Sequence, residues 1–324
     1  GVYSREILRG LPMLDPDQRF HWYYRPHRFL RSLRETLPER CSRRILWDGL
    51  TPHCRLFHAL NQRMPRRKPR RSVVTFHDLF VLTGEYSTPE FRARFAAQAR
   101  DAAARADLII CVSQFAANQV HDLLKVERSR LRVVWHGVHP PAQAGNVVRE
   151  NTVLHVGALQ MRKNVSRLVD AFEQMPPDWS LVLAGSAGFG AGQILSRIEH
   201  SRARERIRLL GYVDDQQLSR LYQTAGMLAF PSLDEGFGIP LLEAMAHGLP
   251  VITSNRSALR EVGEGAALLV DPEDTEEISE AMRRLATDHT LRNNLTSLGF
   301  ERAAQHTWRH AARNTWNIYQ EVMD

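Results

Sequence analysis

The segment EGFGIPLLE, Glu235 to Glu243, follows the apolar run Met227 to Phe230 and the turn Pro231-Ser232-Leu233-Asp234. Pro240 suits a first helical position and Gly248 the position past a last turn, which predicts a helix from about Pro240 to His247. The backbone N–H groups of Phe237, Gly238 and Ile239 then stand at the positive end of that helix, where phosphate or hydroxyl oxygens are bound well, and Gly238 allows a ligand close to the backbone. Glu235 falls just outside the helix and Glu243 one turn inside, so both carboxylates are expected to face one pocket at different depths. A carboxylate accepts two hydrogen bonds from a vicinal diol, which suits it to sugars. Surface charge that complements the helix dipole is the plainer alternative for either residue.

Outward from this segment, short β-branched or apolar runs alternate with amphipathic stretches, the pattern of parallel α/β sheets. The second half predicts strands at Thr152 to Val156, Leu181 to Ala184, Ile207 to Leu210, Met227 to Phe230, Val251 to Thr253 and Ala267 to Val270. The first half predicts strands at Arg19 to Tyr24, Arg44 to Trp47, Ser72 to Phe76, Leu108 to Val112 and Leu131 to Trp135, with helices near Pro89 to Ala106 and Gln114 to Leu124. Helical spacing of apolar residues returns from Trp308 to Val322. The segment from Pro140 to Asn146 has linker composition. The expected organisation is an N-terminal Rossmann-like domain over 1–143, a second over 144–307, and a C-terminal crossover helix over 308–324 packing back toward the first domain. Two doubly wound domains would face each other across a cleft, with ligands at the carboxyl ends of the strands.

Three further strand ends carry candidate chemistry. After Thr152 to Val156, Gly157 ends the strand, and Arg162 and Lys163 precede a helix starting near Asn164. Cations there could hold a diphosphate and stabilise its charge as it departs; solvated charges ahead of a helix are the alternative. Only Lys68, Lys125 and Lys163 are lysine among the 43 basic residues, so a lysine at this position suggests a need for a compact ammonium. Ser72 to Phe76 ends at His77 and Asp78. His77 could contact a reacting sugar or be a structurally satisfied histidine, and Asp78 could cap the following turn. The glycine-rich run GSAGFGAG, Gly185 to Gly192, does not fit the G-x-G-x-x-G register, and no acidic residue stands at the ribose spacing, which argues against hydride transfer. It is expected to be a loop lining the cleft.

With 324 residues, 43% of them hydrophobic and 24% charged, the chain has the composition of a globular protein of about two domains. No apolar run approaches the roughly 18 residues of a membrane span, and the first residues lack a signal pattern, so a cytoplasmic location is expected. Cys41, Cys54 and Cys111 show neither metal-ligand spacing nor a disulfide framework, and no metal site is expected. Residues 1–71 hold 17 Lys or Arg against 6 Asp or Glu. Such a basic segment suits an anionic membrane surface or a phosphorylated ligand, or is a solvated surface. It lacks the aromatic interleaving of an RNA-binding motif, so nucleic acid is not an expected partner.

The segments HVGALQMRKNVSRLVDAF, LLGYVDDQQLSRLYQTAGMLAFPS, EGFGIPLLEAMAHGLPVITSN and LREVGEGAALLVDPED, in this order, resemble those of glycosyltransferase family 4, the retaining enzymes of GT-B fold, and in particular mannosyltransferase-like members. The resemblance is strong from about Ser72 onward and looser before it. It implies a nucleotide-diphosphate sugar as donor, GDP-mannose first and a UDP-sugar next, no metal or other cofactor, and a glycan or lipid-linked acceptor in bacterial cell-surface polysaccharide synthesis. It further implies catalytic roles for His77 beside the transferred sugar, Arg162 and Lys163 on the diphosphate, and Glu235 on the donor-sugar hydroxyls. Gly157, Val213, Phe237, Gly238 and Ile239 would line the donor, with Glu243 on its ribose. Replacing Glu235, Arg162 or Lys163 with Ala is then expected to nearly abolish transfer with folding intact. The family pattern opens with a strand and a glycine-rich loop, which Gly1-Val2-Tyr3-Ser4-Arg5-Glu6 does not match. A sugar-nucleotide epimerase or hydrolase, or a non-catalytic nucleotide-binding chain, would share the donor pocket without using an acceptor. Peripheral placement on the inner face of the plasma membrane is the companion expectation.

Overall fold

The computed structural model describes residues 1–15, 17–47, 49–141 and 148–324. They form two compact units, one of Gly1–Thr83, Thr88–Gly137 and Thr307–Asp324, the other of Gly84–Ser87 and Val138–His306. The domain boundary expected between residues 143 and 144 lies outside the described residues. No described helix is long and apolar enough to cross a membrane.

In the first unit, β1 (Phe20–Tyr24) and β2 (Cys41–Ile45) pair in parallel, and β3 (Phe57–Ala59), β4 (Ser72–Phe76), β5 (Leu108–Cys111) and β6 (Leu131–Val133) form a separate parallel sheet in that order. The helices are α1 (Val2–Gly10), α2 (Pro26–Ser32), α3 (Phe80–Thr83), α4 (Pro89–Arg105) and α5 (Gln114–Leu124). A central parallel strand is covered on both faces and therefore reads as an unbroken apolar run; every residue of β4 is buried. The two longer helices open on side-chain caps, Thr88 accepting from the Phe91 N–H and Ser113 from the Ala116 N–H. One doubly wound sheet was expected, but β1 and β3 instead both line a groove of about 1220 Å³. The expected strand at Arg44 to Trp47 is displaced to Cys41–Ile45, where it pairs residue for residue with β1.

The second unit is a six-stranded parallel sheet. Its strands are β7 (Thr152–Val156), β8 (Ser180–Ala184), β9 (Ile207–Gly211), β10 (Met227–Phe230), β11 (Val251–Ser254) and β12 (Leu268–Val270), in the spatial order β12-β11-β10-β7-β8-β9. Its helices are α6 (Val165–Phe172), α7 (Ala191–Glu199), α8 (Asp215–Thr224), α9 (Ile239–Ala246), α10 (Ser257–Gly263), α11 (Thr275–Thr287) and α12 (His289–Gln305). Strand order reverses between β7 and β10, and open α/β sheets bind ligands at such a switch point, beyond the carboxyl ends of the strands. The loops carrying Arg162-Lys163 and Glu235 both rise from there.

The glycine-rich run, expected to line the cleft, supports the loop that carries Arg162 and Lys163. A Cβ on Gly185 would lie 1.9 Å from the carbonyl oxygen of Gly157, so the ends of β7 and β8 touch backbone to backbone. Hydrogen bonds from Gly157 N to Ala184 O, Leu159 N to Ser186 O and Gly188 N to Leu159 O then fasten the 157–163 loop along the glycine run. The last helix, α13 (Trp308–Met323), rejoins the first unit. There Trp308, Ala311, Ala312, Ile318 and Tyr319 pack with Tyr3, Ile7 and Leu11 and with Val73, Ile110 and Val134.

Candidate functional site

Arg162 and Lys163 sit in a 3-10 turn, Met161–Lys163, closed by Asn164 in the left-handed region (φ 59°). Asparagine tolerates that conformation better than most residues. Its side-chain amide also donates to the carbonyl oxygens of Pro231 and Pro272. The turn is thereby tied to the chain leaving β10. The Leu233 N–H adds a bond to the Arg162 carbonyl, and the Arg162 guanidinium donates to the Asp234 carbonyl at 2.6 Å.

This anchoring brings three predicted site residues into direct contact. Glu235 Oε1 lies 2.7 Å from Arg162 Nη1 and 2.5 Å from Lys163 Nζ, and the three side chains are only 11%, 9% and 11% exposed. Burial alone would raise the Glu235 carboxyl, but Lys163 and Arg162 outweigh it and hold the group below its ordinary range. Lys163 Nζ also stands 4.5 Å from the Phe230 ring centroid, and Gly157 leaves it room, since a Cβ there would be 3.3 Å from Lys163 Cε. Removing one partner from a buried ion pair strands the other. Alanine at any of the three is therefore expected to cost stability as well as transfer.

Beneath this cluster lies His155 on β7, fully buried, with Nδ1 donating to the Ala229 carbonyl and its ring stacked on Phe230 at 5.6 Å. Burial pushes it down to about 4, so it stays neutral at physiological pH. Glu235 is also pinned from behind: its N–H donates to Ser257 Oγ and its carbonyl accepts from Ala258. Gly238 adopts φ +103°, and a Cβ there would meet Leu259 Cδ2 at 2.6 Å. Glycine here thus serves packing against α10 as well as the turn into α9. Phe237 is buried and Ile239 half-buried, while Val213 lies half-buried between β9 and Asp214, the N-cap of α8.

Glu243 has a different partner. Its Oε2 accepts from the buried Tyr222 hydroxyl at 2.9 Å, and burial raises its pKa, opposite to Glu235. The sequence points to neither Tyr222 nor His155 as a site residue. The signal for Tyr222 was its place in the apolar stripe Leu218, Leu221, Tyr222, where a buried hydroxyl must find a partner. His77 belongs to the first unit. Its Nε2–H donates to the Leu60 carbonyl at 2.9 Å and its ring packs edge-on to Tyr3 at 4.7 Å and beside His136 at 5.6 Å. Burial lowers its pKa, so it is neutral at physiological pH.

The switch point of this parallel unit thus carries two cations and a carboxylate in direct contact, groups that can pair with an anionic, hydroxyl-bearing ligand. A family model for glycosyl transferases group 1 matches residues 141–302 and one for glycosyltransferase family 4 matches residues 9–140. The chain belongs to this glycosyltransferase family. It is 30% identical over 282 residues to O-antigen chain mannosyltransferase B of Escherichia coli, with 82% of this chain and 74% of that protein covered. Sucrose-phosphate synthase from Thermosynechococcus elongatus matches with a TM-score of 0.79 at 21% identity, over 99% of this chain and 92% of that one. Anabaena HepE in complex with UDP matches with a TM-score of 0.77 at 16% identity, over 99% and 96%. The fold is GT-B, and the chain is a glycosyltransferase.

Proposed function

We propose that this glycosyltransferase moves mannose from GDP-mannose to a glycan or lipid-linked acceptor of cell-surface polysaccharide, with retention of anomeric configuration and without a metal. The observation that carries the donor half is the buried cluster of Arg162, Lys163 and Glu235 at the switch point. The mannose choice rests on the mannosyltransferase to which the chain is 30% identical. A diphosphate would take Arg162 and Lys163 as its counter-ions, and the Glu235 carboxylate they release would accept from the hydroxyls of the donor sugar. Glu243 would accept from the ribose diol, with Gly157, Val213 and the backbone of Phe237, Gly238 and Ile239 lining the donor and His77 beside the transferred sugar.

In the reaction, the bond from the anomeric carbon to the β-phosphate oxygen breaks as the acceptor oxygen bonds to that carbon on the same face. The acceptor proton passes to the departing phosphate. Arg162 and Lys163 offset the charge that develops there, a contribution of several kcal/mol in a water-poor site. The sign of the groups fits: two fixed cations face the leaving group and a neutral His155 lies beneath them.

A thermal-shift panel of GDP, UDP and ADP tests the donor. GDP at a hundred times its dissociation constant is expected to add about 2.7 kcal/mol of stability, and no shift with any of the three would refute a nucleotide-sugar donor. Product analysis with labelled GDP-mannose follows. Label in a glycoside only when acceptor is present supports transfer, whereas free sugar or an epimer formed without acceptor would identify a hydrolase or epimerase.

Peripheral attachment to an anionic membrane is part of the same proposal. It draws on the basic residues 1–71 and on Leu30, Leu33 and Trp47, which are 77%, 56% and 52% exposed among arginines. Co-sedimentation with phosphatidylserine liposomes at low salt that is lost in high salt is the expected result; equal recovery with uncharged liposomes would speak against it.

A further inference from the structure

Tyr222 lies in the last turn of α8, its side chain fully buried apart from what its hydroxyl touches, and that hydroxyl donates to Glu243 Oε2. The two helices are locked at this point by one guanidinium. Arg149 Nη1 donates to the carbonyl oxygens of Tyr222, Gln223 and Ala225 at the end of α8, and its Nη2 donates to that of His247 at the end of α9. His247 closes the arrangement, with Nδ1 on the Glu243 carbonyl, Nε2 at Ser219 Oγ and its ring 5.4 Å from that of Tyr222. A hydroxyl anchored this way at its own backbone cannot follow the carboxylate if the carboxylate moves; it fixes it.

We infer that Tyr222 is a positioning residue for the donor, holding one oxygen of Glu243 so that the other is presented, ionised, to a vicinal diol such as the ribose of a nucleotide. The inference rests on the donor reading above. A carboxylate has two acceptor oxygens, so the Tyr222 bond to Oε2 leaves Oε1 for the ligand, and Glu243 is only partly buried. Ionisation matters because a protonated carboxyl offers the diol a donor and one fewer acceptor site.

The charges around Glu243 oppose one another. Burial and Asp215 on α8 favour the neutral acid; the Tyr222 hydroxyl and His139 favour the carboxylate. With the group raised on balance, affinity for a diol is present above its pKa and lost as pH falls through it. Deleting the hydroxyl removes a hydrogen bond that favours the charged form, so the loss must begin at a higher pH.

Tyr222→Phe keeps the ring and removes only the oxygen. Isothermal titration with GDP and with 2′,3′-dideoxy-GDP, across pH 5 to 8 (~3 pH units around the Glu range), reads the effect. The expected result is about a tenfold weaker GDP affinity, a hydrogen bond to a charged group, with the dideoxy affinity unchanged and the acid-side loss displaced upward in pH. Glu243→Gln should remove the pH dependence of the difference between the two nucleotides, and in that background Tyr222→Phe should add nothing. Equal weakening for both nucleotides, or an unmoved pH profile, would overturn the inference. If Tyr222→Phe does not fold, the unmodified chain still decides: because both nucleotides share a terminal phosphate that titrates near pH 6, the ratio of GDP to dideoxy affinity is the readout; it is expected to shrink toward acid, and a ratio that does not change with pH overturns the inference. No nucleotide binding by the unmodified chain at any pH would instead overturn the donor reading itself, and this inference with it.

Discussion

Glu235→Gln is expected to lower transfer by about 100-fold and at the same time to destabilise the second unit by about 3 kcal/mol. The two losses have separate causes. The neutral amide cannot balance Arg162 and Lys163, which are held within 2.7 Å of the carboxylate in a site about a tenth exposed, and breaking a buried pair from one side costs about 3–5 kcal/mol. Without that anchor the two cations shift, and displacement of catalytic groups by about 1 Å costs on the order of 100-fold in rate. Adding Lys163→Met to Glu235→Gln should restore much of the stability, because one uncompensated charge is gone, and none of the activity. The acid limb gives an independent reading. Glu235 is held below its ordinary 4.5 in the folded chain, so its contribution is present above that value and lost as pH falls through the lower folded pKa. The variant should therefore show a flatter fall in melting temperature on acidification. A Glu235→Gln chain that keeps more than a tenth of its activity would remove this residue from the reaction.

The second large effect lies in the glycine run. Gly185→Ala is expected to cost about 4 kcal/mol or to prevent folding of the second unit, since its Cβ would lie 1.9 Å from Gly157 O, 2.4 Å from Gly157 C and 3.0 Å from Ala158 N. All three are backbone atoms and none can swing aside. Relief requires the 157–163 loop to lift, which carries Arg162 and Lys163 with it, so transfer should fall together with stability. Gly192→Ala, seven residues on, is the control. It lies inside α7 with nothing within 4 Å of its Cβ position, and alanine there should be neutral or stabilise by up to about 1 kcal/mol. Equal melting temperatures for the two variants would contradict the backbone contact.

The sequence was most legible where strands are covered on both faces. Thr152–Val156 and Met227–Phe230 are buried throughout, and such strands leave uninterrupted apolar runs. It was least legible where structure depends on distant partners. β3 is the three residues Phe57-His58-Ala59, too short for any periodicity, and α1 buries only Tyr3 and Ile7, so its helix shows only once α13 is in place. The apolar run Ile45-Leu46-Trp47 placed the expected strand too late, because β2 ends at Ile45 and is otherwise built from Cys41, Ser42, Arg43 and Arg44, which pair through backbone and carry little hydrophobic signal. At the site, spacing identified the carboxylates and cations but not their pairing. Whether Glu235 or Glu243 meets Arg162 depends on the strand order that sets β7 beside β10, which no local pattern contains.

The path of the chain between the units has a consequence for how the protein is made. The first unit is completed by residues 307–324, while Val138–His306, nearly all of the second, is one uninterrupted stretch. A ribosome releasing the chain from its amino end therefore exposes Ile7, Val73 and Ile110 long before Trp308, Ala312 and Tyr319, their packing partners, can emerge. The second unit can settle early, as contiguous domains do during synthesis. The half made first must wait, its apolar face uncovered, until the final helix leaves the exit tunnel.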